Sequence, residues 1–156
     1  MTLILIYYMM CRMKKLLIFV FTIVILFTGC GKKERIYLDD KYYGNNELIE
    51  ITSKDIKKDG SYLVFVYNDF CALKVPCDKI FKEFMDDNKI SMYSLSFKEM
   101  QKTFISDTLE YGPSIVIISD GKVIDYLDAE NDKHLDYYQD SKKLKKWLEK
   151  SIYLKK

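Results

Sequence analysis

Residues 111–127 read YGPSIVIISDGKVIDYL, and the fold turns on them. SIVIIS (114–119) and KVIDYL (122–127) are two runs of strand formers separated only by Asp120 and Gly121. Asp-Gly suits a two-residue turn whose central residues both need positive φ, so this stretch predicts a β-hairpin. Upstream, SYLVFVYN (61–68) is nearly continuous in apolar residues, which predicts a strand covered on both faces. LIEIT (48–52) and the looser alternation from Ile90 to Phe97 predict two more strands. Between Asp78 and Asn88, Ile80, Phe81, Phe84 and Met85 fall on one helical stripe. A second helix is predicted over Lys98–Ser106, and a capped helical turn over residues 53–60, ending at Gly60. Residues 128–140 read as polar loop with a short turn. A last helix, capped by Asp140 or Ser141, would bury Leu144, Trp147, Leu148 and Ile152, with Lys155 and Lys156 opposing its dipole. Strands alternating with helices, then a hairpin, predict an α/β fold: a central mixed sheet of about five strands with helices on both faces.

The chain has 156 residues, 49% of them apolar and 31% charged, enough for one globular core. Its formal charge of +2 is unevenly spread, because residues 1–29 hold Arg12, Lys14 and Lys15 and no acids. Removing those three from 25 leaves 22 basic against 23 acidic residues. No basic field remains to attract a polyanion, so nucleic acid is excluded as a partner.

Residues 14–30 read KKLLIFVFTIVILFTGC. Two lysines precede a twelve-residue run from Leu16 to Phe27, interrupted only at Thr22, and then Thr28, Gly29 and Cys30. A cationic stretch, a short apolar stretch and a small residue at the cut describe a secretory signal. A spanning helix needs about 20 apolar residues, more than are present. LFTGC (26–30) resembles the lipobox of bacterial lipoproteins, although Phe27 stands where that family usually has Leu. The resemblance implies that Cys30 is acylated and becomes the mature N-terminus. It divides the chain into a signal peptide (1–29), a lipidated Cys30 with a tether (30–45) and a domain (46–156). Met13 is a more natural start than Met1, in which case Cys11 is never made.

Of four cysteines, Cys71 and Cys77 then remain, both in the loop between the buried strand and the first helix. Oxidising conditions outside the cytoplasm allow a disulfide. Their spacing reaches up to about 20 Å when extended, and so neither forces nor forbids the bond. Pro76 belongs in the first turn of a helix, which starts that helix near Val75 or Pro76. Cys77 would sit among the unpaired N–H groups at the positive end of the dipole, where a thiolate is stabilised. A purely structural disulfide closing this short ring would contribute roughly 2 kcal/mol. His134 is the one histidine and lies in a distant polar loop, so no metal site is expected and its imidazole is read as solvated.

The order of strand, Cys-bearing loop, Pro-Cys, helix, Gly-Pro, hairpin and amphipathic helix resembles the thioredoxin family over about residues 46–156. YLVFVYNDFC (62–71) looks like that family's central strand leading to its active-site cysteine, with Phe70 as the usual aromatic residue. YGPSIVIISDGKVIDYL looks like the segment that carries its cis-proline. The resemblance implies that Pro113 is cis and faces the cysteines, and that backbone near Gly112 pairs with a substrate strand. It also implies thiol–disulfide exchange through Cys71 and Cys77, with no cofactor. By family analogy Cys71 attacks; the helix terminus favours Cys77, and the two assignments stand open. Two departures count against catalysis. CALKVPC (71–77) is three residues longer than C-x-x-C, and Phe65 stands where typical members carry a buried acid. The two readings are therefore an enzyme acting on exported thiols, or a non-catalytic accessory lipoprotein of the envelope or of an export system. Both place the protein on the extracytoplasmic face of the bacterial cell membrane, held by lipid.

Overall fold

A computed structural model of the chain describes residues 34–68 and 76–155. The sheet is built around β2 (Ser61–Tyr67), whose residues from Tyr62 to Val66 are all buried. On one side β2 runs parallel to β3 (Met92–Ser96), with Val64 opposite Tyr93 and Val66 opposite Leu95. On the other it runs antiparallel to β4 (Ser114–Ser119), with Phe65 opposite Ile115. β1 (Leu48–Ile51) adds in parallel outside β3, and β5 (Lys122–Tyr126) adds antiparallel outside β4. The order is thus β1-β3-β2-β4-β5, the mixed five-stranded sheet expected from the sequence. Asp120 and Gly121 close the hairpin at φ 48° and 70°, both left-handed as the Asp-Gly turn requires. Gly121 is also short of room, since a Cβ there would lie 3.0 Å from the Lys58 carbonyl oxygen.

Alternation along β2 shows that both faces are covered. Phe65 meets Phe81 of α1 (Cys77–Asn88) edge-on, with ring centroids 4.8 Å apart. Val66 points to the opposite face. A Cβ added to Gly112 would lie 3.7 Å from Val66 Cγ1 and 3.3 Å from Phe97, the first residue of α2 (Phe97–Met100). α1 buries the predicted stripe and ends at Lys89, whose φ of 52° and ψ of 49° make a left-handed cap. α3 (Ser141–Leu148) starts where Asp140 accepts the N–H groups of Lys142 and Lys143. Among the described residues no helix is long and apolar enough to cross a membrane. The run from Leu16 to Phe27 lies outside them.

Outside the site, the structure differs from the sequence expectations in four stretches. The helix expected over Lys98–Ser106 is split, with α2 ending at Met100 and a 3-10 turn at Phe104–Asp107 that starts from Thr103. The turn expected over residues 53–60 shrinks to Ser53–Asp55, held by a Thr52–Asp55 capping box. α3 stops before Ile152. That side chain reaches the core through a short parallel bridge instead, in which Ile36 donates to the Ser151 carbonyl at 3.0 Å and Tyr153 donates to Ile36 at 2.8 Å. Lys155 accordingly pairs with Asp40 and does not cap the helix.

The last difference concerns the segment read as a tether, which from Ile36 to Tyr43 is part of the fold. Leu38 and Tyr42 are each only 2% exposed. Tyr42, Tyr62 and Tyr93 pack their rings together at 5.5 to 6.2 Å, and the Tyr42 hydroxyl donates to that of Tyr93 at 2.9 Å. Burial pushes the Tyr62 phenol up to about 12 and raises that of Tyr42 as well.

Candidate functional site

Cys77 is the first residue of α1, directly after Pro76, and is 4% exposed. Pro76 takes the N-cap position, one place before the first-turn position expected for it, because its fixed φ of −56° suits the turn into the helix. The Gly112–Pro113 peptide is cis, as the resemblance implies. Cys77 and Pro113 line one cleft of about 290 Å³, together with Phe65, Tyr67 and Asn68 at the end of β2, Pro76, Asp78 and Ser94. Gly112 backs onto it, because a Cβ there would lie 3.6 Å from the Asn68 Cβ. The fold therefore brings together three of the residues singled out in the sequence: Cys77, Gly112 and Pro113. Cys71 and Cys30 lie outside the described residues.

The walls of the cleft are set by the sheet. Tyr67 and Phe65 project from one face of β2 with ring centroids 6.3 Å apart. Phe65, where a buried acid stands in typical thioredoxins, is 5% exposed and wedged against Phe81. The wall is aromatic at that point, and the carboxylate among the described lining residues is instead Asp78, on α1 beside Cys77.

Tyr138, in a Tyr-rich pair whose simplest reading from sequence is core or rim, closes the 3-10 turn Asp132–Tyr138 and also reaches the proline loop. Its hydroxyl donates to the Pro113 carbonyl at 2.7 Å and lies 3.1 Å from the Leu127 carbonyl. Ser114 donates to the same Leu127 carbonyl at 2.6 Å. Nothing in the polar stretch 128–140 signals this, since two adjacent tyrosines among acids have no period. The His134 imidazole, expected to be solvated, instead accepts the Asp128 N–H at Nδ1, at 2.9 Å, and so staples this loop. Among the described residues no group of three or more His, Cys, Asp or Glu side chains could hold a metal ion. A larger cleft of about 600 Å³ between Tyr43, Lys89, Lys145, Glu149 and Lys155 mixes both charge signs and contains none of the predicted site residues.

No protein-family model matches the chain, and no curated protein matches it. Among solved structures, it is similar to oxidised thioredoxin from Plasmodium falciparum, with 17% identity and a TM-score of 0.44 over 67% of this chain and 97% of that one. Thioredoxin from Schistosoma mansoni gives 14% identity and 0.43 over 67% and 95%. Thioredoxin from Malassezia sympodialis gives 14% and 0.43 over 66% and 89%. The fold does not rest on these superpositions. Strand order, strand direction and helices on both faces make it a thioredoxin-like α/β fold.

Proposed function

We propose that the protein is a lipid-anchored thiol–disulfide exchange protein that acts on exported proteins, with Cys71 and Cys77 as its redox pair. The observation that carries this reading is the shared cleft of Cys77 and Pro113 at the start of α1. Backbone beside Pro113 would align a substrate strand across the sulfur, and a helix N-terminus is where a thiolate is stabilised.

The exchange runs in two steps. In the dithiol form one cysteine attacks a substrate disulfide as the thiolate, making a mixed disulfide while the substrate S–S bond breaks. One substrate sulfur leaves as thiolate and takes up a proton. The second cysteine then attacks the mixed disulfide, releases the other substrate sulfur and leaves the protein as its disulfide. Two electrons have passed to the substrate, and a dithiol substrate reverses every step. Replacing Cys71 by Ser and, separately, Cys77 by Ser should each abolish exchange while the fold persists. Exchange retained in both variants contradicts the proposal.

The second reading, a non-catalytic binding lipoprotein, draws on the aromatic Phe65 wall and on the long CALKVPC spacing. It predicts partner capture that survives both cysteine substitutions. Under either reading Cys30 carries the lipid and the domain faces away from the cytoplasm.

A further inference from the structure

We infer that Tyr138 is a positioning residue for the Cys77 cleft, setting the Pro113 wall through its hydroxyl and the α1 wall through its ring. The inference rests on the exchange reading for its kinetic consequence but not for its geometry. A proline has no N–H, so the Pro113 carbonyl is the hydrogen-bonding handle of that residue's backbone. A phenol has one proton, and of the hydroxyl's contacts to the Pro113 and Leu127 carbonyls the shorter, 2.7 Å, goes to Pro113. The ring is 1% exposed and sits 6.0 Å from Phe81, which in turn packs on Phe65 in the wall of the cleft. One side chain thus touches both the loop that presents Gly112 and Pro113 and the helix that presents Cys77.

Tyr138 is itself well held. Asn131 caps its turn by accepting the Lys133 N–H at 3.0 Å, and the His134 staple fixes the preceding loop. Asp136 pairs with Lys143 of α3 at 2.6 Å. The polar stretch 128–140 therefore carries the side chain that holds the proline loop at the wall of the cleft.

The test is Tyr138→Phe in the full-length chain, which keeps the ring and removes the hydroxyl. With two prolines in the sequence, carbonyl-¹³C proline labelling gives two signals. The Pro113 signal should move and the Pro76 signal should stay. The shift of the Pro113 signal on transfer from H₂O to D₂O, to which the Ser114 N–H contributes in both proteins, should also differ between parent and Tyr138→Phe, because only the parent has the phenol proton. With a disulfide-bonded peptide, KM should rise about three- to tenfold, as for one lost hydrogen bond, with kcat changed less than about twofold. An unmoved Pro113 signal overturns the inference, and so does a moved signal with KM and kcat both at parent values. If the parent itself does not exchange, the exchange reading falls, and the two Pro113 measurements alone decide whether the hydroxyl sets the loop.

Discussion

Asp39 and Ser61 bond reciprocally: the Asp39 N–H donates to the Ser61 carbonyl at 2.9 Å, and the Asp39 carboxylate accepts the Ser61 N–H at 2.9 Å. This pair fastens the N-terminal segment to the first residue of the central strand. It also explains Gly60, which has a φ of +79° and where an added Cβ would come within 3.1 Å of Asp39 Cγ and closer still to its carboxylate oxygen.

Gly60→Ala should therefore destabilise the fold by about 1–3 kcal/mol, combining left-handed strain with displacement of the carboxylate. The midpoint of urea unfolding measures it. Asp39→Ala in the same background should remove part of the penalty, because the clash then has no partner.

Glu99 ties α2 to the turn that follows β1. Its carboxylate pairs with Lys102 and accepts both the N–H and the hydroxyl of Ser53, at 3.0 and 2.6 Å. Lys102 first, then Ser53, hold its pKa down at about 2, below the ordinary 4.5. A lowered carboxyl contributes stability above its ordinary value, and that contribution fades as pH falls through the window from 4.5 to about 2. The parent should thus be more stable than Glu99→Gln at neutral pH, and the two unfolding curves should converge towards the bottom of that window. Added salt should shrink the gap as well, because the Lys102 pair is exposed.

The tyrosine cluster governs the alkaline limit. Tyr62 ionises near 12 when folded and near 10 when unfolded, so its contribution is intact below 10 and is lost as pH rises towards 12. Titration followed by tyrosinate absorbance should show a late, cooperative step that coincides with loss of far-UV dichroism. A smooth titration of all the tyrosines near 10 would contradict the packing described for Tyr42, Tyr62 and Tyr93.

If Cys30 carries the lipid, Cys30→Ala should remove metabolic labelling by palmitate and leave the protein unprocessed or released from the membrane. An unchanged membrane fraction with a mature-sized, unlabelled N-terminus would count against the anchor.

The parts of this fold legible in the sequence are those whose cause is local. SYLVFVY announces a doubly covered strand, DG announces its turn, and Ile80, Phe81, Phe84 and Met85 announce a stripe, each within a few residues. The illegible parts depend on partners far along the chain. Ile36 joins the fold through Ser151 and Tyr153, and Leu38 and Tyr42 are buried by elements that a window around residue 40 does not contain. The candidate site divides in the same way. Pro113 and Cys77 stand out by their neighbours in sequence, whereas Tyr138 gains its role only from the Pro113 carbonyl, 25 residues away.

The most direct test of the account is a redox titration of the full-length protein in glutathione and dithiothreitol buffers, read by alkylation and peptide mass mapping. The account predicts a reversible Cys71–Cys77 disulfide with a potential between roughly −120 and −270 mV, the range of exchange catalysts. A bond reduced only below about −300 mV, or no bond between these cysteines at all, would contradict it.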